Sequence, residues 1–342
     1  MATPQTEFRH ELLESLLDLL WRQWSALGVS GYGKLKHPAV VDPEALLIFS
    51  CSLGRYDQRL FDAMLDWLGE NERFVSIQRL RGITEKEGFA GADVLSALAA
   101  VMAKKNPTLK WKKLAESVLP DQSSSQPLFF LKDGTSMPVL GAEDKTFSRY
   151  GYARSPVENH NRALPFPTRK PETMLLQIRS MFGIGARSEA LLYLILNEKG
   201  TISEIAADSY YAWRSIQDAL YEMGHSGLLH FPESKKGRFY RMDGAPWRKL
   251  LLTQDEPNIR YLCWPPLFRA LEMIWKMVSD PVFTTLSPQG CAAALGDLMK
   301  NEVNDRLERA RLGHWTFDNN ITGDNFLNAF QEWFKSVCQE IP

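Results

Sequence analysis

The most constraining stretch of the 342-residue chain runs from Gly185 to Asp243. Ala190, Leu191, Leu194 and Ile195 recur at helical spacing within Ala186–Asn197, a helix that runs out at Glu198-Lys199-Gly200. Thr201-Ile202-Ser203-Glu204 places a hydroxyl at a helix start and a carboxylate three residues on, the arrangement of a capping box. It predicts a short helix over Ser203–Ala207 with Ile202, Ile205 and Ala206 facing inward, followed by a turn at Asp208-Ser209. The next helix is predicted from about Ala212 to Met223, ending at Gly224. With about 100° per residue, Ile216, Ala219, Leu220 and Met223 share a stripe that should be buried. Arg214, Asp218 and Tyr221 fall on the opposite face, Gln217 on the flank, and Trp213 nearer the stripe. Two strand-like runs, Gly227–Phe231 and Gly237–Met242, are joined by Pro232–Lys236 and read as a hairpin with its charge at the tip and on the return strand.

Charge gives this hairpin its meaning. The chain as a whole has 40 Lys plus Arg against 41 Asp plus Glu, a net charge of −1, so any surface for a polyanion must be local. From Ser234 to Lys249 six Lys/Arg stand against one acid, Asp243, which is the electrostatic footprint that phosphate binding requires. The order of helix, short helix, turn, helix, Gly227-Leu228-Leu229 and basic hairpin resembles the winged helix-turn-helix domains of bacterial ArsR- and MarR-type transcription regulators. The resemblance covers roughly residues 185–245 and is carried by Thr201–Ala206, Arg214–Met223, Gly227–Leu229 and the Lys235–Tyr240 wing.

In that family the third helix enters the major groove and the wing touches the backbone or minor groove. Carried over, Tyr210, Tyr211, Arg214 and Gln217 would face the groove, and Lys235, Lys236 and Arg238 would be wing contacts. The resemblance implies double-stranded DNA as partner, a homodimer on paired half-sites and no cofactor. This chain departs from the family in two places: Asp208-Ser209 stands where a glycine is usual, and Asp218 and Glu222 put acid on or near the reading helix. Winged helices also dock proteins, so a non-enzymatic protein-interaction module stays open beside the DNA reader.

The remaining pattern predicts a mainly α-helical fold. The winged helix-turn-helix domain (171–250) would lie between an N-terminal helical domain (1–118) and a C-terminal helical domain (251–342), with a linker and basic irregular strap at 119–170. Asp42-Pro43-Glu44 is a helix start leading into an apolar run, Ala45 to Leu53. Whether residues 40–118 hold a second winged helix is left open. The polar, Pro-flanked stretch from Pro120 to Pro127 marks the linker. The run from Lys145 to Arg187 holds eight Lys/Arg (Lys145, Arg149, Arg154, Arg162, Arg169, Lys170, Arg179, Arg187) against Glu158 and Glu172, and reads as either a solvated connector or a phosphate-contacting arm. The aromatic residues Trp264, Phe268, Trp275, Phe326, Phe330, Trp333 and Phe334 show helical spacing and should pack a core. A long helix over Pro288–Arg311 offers an alternative self-association surface.

Other chemistries find little purchase. The thiol ligand patterns of metal-sensing regulators are missing, His225 and His230 straddle a helix end and a strand, and Glu158-Asn159-His160-Asn161 has no partner at ligand spacing. Gly28-Val29-Ser30-Gly31-Tyr32-Gly33 is Gly-rich but does not complete GxxxxGK[ST] and follows no strand, so it reads as a loop; no HExxH or GxSxG motif occurs, and no enzyme is expected. No apolar run reaches the ~18–20 residues of a membrane helix. The acidic, amphipathic start does not read as a secretory signal. Four scattered cysteines (Cys51, Cys263, Cys291, Cys338) should be reduced and mostly buried in a cytoplasmic protein.

Overall fold

Asp42 stops an extended segment and opens a buried helix, α2 (Pro43–Leu53). Its Oδ1 accepts from the N–H groups of Glu44 and Ala45, and Pro43 occupies the first turn, where no backbone donor is needed. Apolar from Ala45 to Phe49, and with Glu44 and Ser50 buried as well, α2 becomes the axis of a helical body. Around it pack α1 (Pro4–Ala26), α3 (Gln58–Asn71), α4 (Ile77–Glu87) and α5 (Ala92–Lys105), with α6 (Leu109–Ala115) against α5. The computed structural model describes residues 4–31, 35–106, 109–117, 125–157, 163–230, 239–254, 258–318 and 325–341. Among these the fold is mainly helical, no helix is long and apolar enough to cross a membrane, and all four cysteines are free and buried. No paired strand occurs in the described part of residues 40–118.

The body is completed from the far end of the chain. Helix α13 (Trp264–Ser279), with Leu267, Phe268, Leu271 and Ile274 buried, packs on α2, the Phe268 ring stacked on Phe49 at 4.7 Å. The last helix packs on the first: Phe330 lies 6.1 Å from Phe8, and Arg22 donates to the carbonyls of Ile341 and Cys338. Residues 8–152 and 262–341 therefore share one hydrophobic core. The expectation of separate N-terminal and C-terminal helical domains is corrected by this packing, because both sets of helices contribute to one hydrophobic cluster.

The expected long helix at Pro288–Arg311 is α15 (Pro288–Leu298) and α16 (Asn304–Arg309), joined by a π turn at Met299–Val303. Its apolar stripe, Cys291, Leu295, Met299, Val303 and Leu307, lies in the body's core.

The basic strap is also tied into the body. Strand β1 (Gln126–Pro127) pairs in parallel with β2 (Tyr152–Ala153) on either side of α7 (Lys145–Ser148), and Phe130 bridges Ser136 in a small hairpin. Arg154 is fully buried, 2.8 Å from Asp62, with its guanidinium between the rings of Phe129 and Phe147. Arg179 is fully buried too. Lys145, Arg149, Arg169 and Lys170 are exposed, while residues 118–124, Glu158–Asn161 and Arg162 lie outside the described residues.

A second apolar cluster forms from residues 174–259 with Val40. It is built from α8 (Met174–Phe182), α9 (Ala186–Asn197), β3 (Lys199–Gly200), α10 (Ile202–Ser209), α11 (Trp213–His225), β4 (Tyr240–Arg241) and α12 (Ala245–Leu251). Helix α12 can start against α9 only because residue 244 is glycine: a Cβ there would sit 2.1 Å from the Ile195 carbonyl oxygen. Gly244→Ala must push these two backbones apart. It should lower stability by about 1–3 kcal/mol, read as a shifted denaturant midpoint at unchanged slope.

Candidate nucleic-acid interface

Local sequence builds the face that α11 presents. Thr201 caps α10 through the Glu204 N–H, and the Glu204 carboxylate accepts from the Thr201 N–H at 2.7 Å. Behind the helices β4 pairs with β3 antiparallel in the register Lys199↔Arg241 and Gly200↔Tyr240, and Arg241 also bridges His230. The order is thus helix, strand, helix, helix, bridge and strand. Ile216, Ala219, Leu220 and Met223 are buried against this core, as their spacing requires.

The opposite face of α11 is open. Arg214 and Asp218 are exposed and paired at 3.2 Å, and Arg214 also donates to Gln217 Oε1 at 3.2 Å. An exposed pair of this spacing contributes about 0.3–0.5 kcal/mol, so a phosphate or a base edge can take Arg214 over at little cost. Tyr221 is exposed beside His225, and Glu222 pairs with Arg187. Trp213, placed by its angle near the buried stripe, is 48% exposed. It sits in the first turn, beyond the reach of the core. Arg241, on β4, and Lys249, on α12, are also exposed. Lys235, Lys236 and Arg238 lie outside the described residues. Among the described residues no group of three or more His, Cys, Asp or Glu could hold a metal ion.

Tyr210 and Tyr211 do not face outward, and the expectation that they would line a groove is corrected. Tyr210 takes a left-handed conformation (φ 59°) that ends α10 and turns its ring onto α4. Its hydroxyl donates to Glu87 Oε1 at 2.5 Å, and the Arg309 guanidinium meets the same oxygen at 2.5 Å. Burial first, then the charges of Cys263 and Glu87, pushes the Tyr210 hydroxyl far above its ordinary range, so it stays a donor. Tyr211 is buried with its hydroxyl 2.8 Å from Ser76 Oγ.

These two tyrosines belong to a polar seat that joins the 174–259 unit to the body. Arg79, on α4, grips Asp42 with both terminal nitrogens at 2.6 and 2.5 Å, reaches Glu44 at 2.8 Å, and donates from Nε to the Ser209 carbonyl. Arg179, on α8, spans both oxygens of Glu44 (2.7 and 2.9 Å) and Oε1 of Glu189 (2.5 Å), which belongs to the first turn of α9. Arg311 closes the other flank on Asp208 at 2.7 Å and Tyr193 at 3.0 Å. Burial would raise Asp42, but the charge and hydrogen bonds of Arg79 hold its carboxyl below the usual range. Glu189 moves the other way: burial raises it, Arg179 and Arg79 only partly offset this, and Glu44 adds to the rise.

Nothing in the sequence groups the seat residues: Tyr210 and Tyr211 read as groove-facing and Arg179 as strap charge. The available signal was a charge inside an apolar helical stripe, Arg179 after Met174–Ile178 and Glu189 before Ala190–Ile195. Compared with known protein families, with curated proteins and with solved structures, the chain matches none.

Proposed function

We propose that this chain is a DNA-binding transcription regulator whose residues 185–245 form a winged helix-turn-helix. One observation supports this most: α9, β3, α10, α11 and β4 follow that domain's order and pairing, and α11 keeps a polar face clear of the core. On this reading Arg214 and Gln217 test base edges, and Lys235, Lys236 and Arg238 neutralise phosphates. The regulator works in the cytoplasm as a homodimer on two half-sites, its helical body setting their spacing or receiving a signal.

Fluorescence anisotropy on labelled duplex at several salt concentrations tests the proposal. Lys235→Glu with Lys236→Glu should weaken binding and reduce the log–log salt slope by about 0.9 per lost phosphate contact. Arg214→Ala should cost about 1–3 kcal/mol on the preferred site and little on others. An equal loss on every duplex would make Arg214 a phosphate ligand only. A second reading draws on Asp218 and Glu222, exposed on α11 with Tyr221: a non-enzymatic module that docks a protein through α11. Complete indifference of the unaltered protein to duplex DNA at low salt would favour that reading.

A further inference from the structure

The buried part of the seat does not balance its charge. Asp42, Glu44 and Glu189 contribute three carboxylates, and Arg79 and Arg179 two guanidiniums, all with side chains less than a tenth exposed. A surplus charge in such a site is costly unless a proton neutralises it. The geometry singles out where the proton goes. Every oxygen of Asp42 and Glu44 accepts at least one hydrogen bond, and Glu189 Oε1 accepts from Arg179. Glu189 Oε2 has Arg79 Nε at 3.9 Å, beyond hydrogen-bond reach, and that nitrogen already donates to the Ser209 carbonyl at 2.9 Å.

Glu189 also borders a cavity of about 20 Å³ that it shares with Asp42, Arg79, Asp208 and Tyr261, which has room for one water. The titratable and charged groups around Glu189 come from every neighbouring element: Arg179 from α8, Arg79 from α4, Glu44 and Asp42 from the start of α2, Asp208 from α10, Tyr211 from the turn before α11, and Tyr261 and Cys263 ahead of α13.

We propose that this cluster is a proton-dependent latch between the 174–259 unit and the body. With Glu189 protonated the cluster is neutral and the unit is held in its seat; with Glu189 ionised a surplus negative charge is buried there and the seat loosens. Because the raised acid is Glu189, the latch is strongest below the ordinary glutamate value of 4.5 and weakens as pH rises through the higher value in the seated protein. Asp42 acts in the opposite sense, losing its grip on Arg79 only at pH below the usual carboxylate range. Between the two lies the window in which the seat holds best. Since Arg79 also fixes the end of α10, and Tyr211 lies two residues before α11, the same proton governs how firmly α11 is aimed.

Amide hydrogen exchange on the full chain between pH 5 and 8, corrected for intrinsic exchange, tests this without DNA, so its outcome is separate from that of the regulator reading. In the unaltered protein the opening ratio of α9–α11 should rise up to tenfold per pH unit across the titration of Glu189. Glu189→Gln should remove that slope and leave the unit better protected than the original at pH 8. A variant that is less protected at pH 8, or keeps the full slope, overturns the proposal. An independent readout needs no variant: the Glu189 carboxyl ¹³C shift should titrate above 4.5, and a midpoint at or below 4.5 overturns the latch.

Discussion

Arg179→Met should destabilise the protein by about 3–5 kcal/mol at neutral pH, among the largest losses any single substitution here can cause. Methionine matches the stem of arginine in bulk, so packing changes little and the loss is electrostatic. Glu44 loses its two hydrogen bonds from Arg179, Glu189 loses its nearest cation, and the Phe74 carbonyl loses a donor at 2.8 Å. Three buried carboxylates then face Arg79 alone. Without Arg179 beside it, Glu189 should hold its proton more tightly in the folded variant, so the deficit should shrink as pH falls from 8 to 5.5. Urea denaturation at the two pH values checks this. A deficit below 1 kcal/mol, or one independent of pH, would mean that the cluster does not bear on stability as its geometry requires. Adding Glu189→Gln should recover part of the loss, because the two residues share one network.

Phe330→Ala should cost a similar 3–5 kcal/mol. The ring is fully buried among Phe8, Phe317, Phe326, Trp333 and Phe334, with centroids 5.2–6.2 Å apart. Its removal leaves a cavity between the first and last helices, where the surrounding rings are too rigid to fill the space. The informative measurement is residue-resolved hydrogen exchange. Amides of Pro4–Ala26 should lose protection together with those of Phe326–Glu340, since both belong to one core. Loss confined to the last helix would contradict that arrangement.

Much of the fold was legible wherever the signals are local. The bounds of α9, the capping box of α10, the buried stripe of α11 and the start of α2 all follow from periodicity and caps within a dozen residues. What escaped was set by contacts far apart in sequence. No pattern within Trp264–Ser279 announces that Phe268 will stack on Phe49, so one core was read as two domains. Trp213 was misplaced because an angular position says nothing about where the core stops along the helix axis. Tyr210 and Tyr211 were read as groove-facing because a family pattern was carried onto a turn whose left-handed residue and bond to Glu87 are features of this chain. Arg154 and Arg179 were counted as strap charge because their partners, Asp62 and Glu44, lie more than ninety positions away. Of the candidate site, Arg214 and Gln217 are where the helical wheel puts them.

The shared core of residues 8–152 and 262–341 carries a consequence for biosynthesis. A ribosome delivers α1 to α6 well before α13 and the last helix (Phe326–Glu340), so the apolar faces that meet those two helices wait uncovered until they are made. Residues 174–259, which have an apolar cluster of their own beside the long-range contacts of the seat, can gather around it in the meantime. The middle of this polypeptide can therefore gather its own core before the layer that completes the first helices has been made.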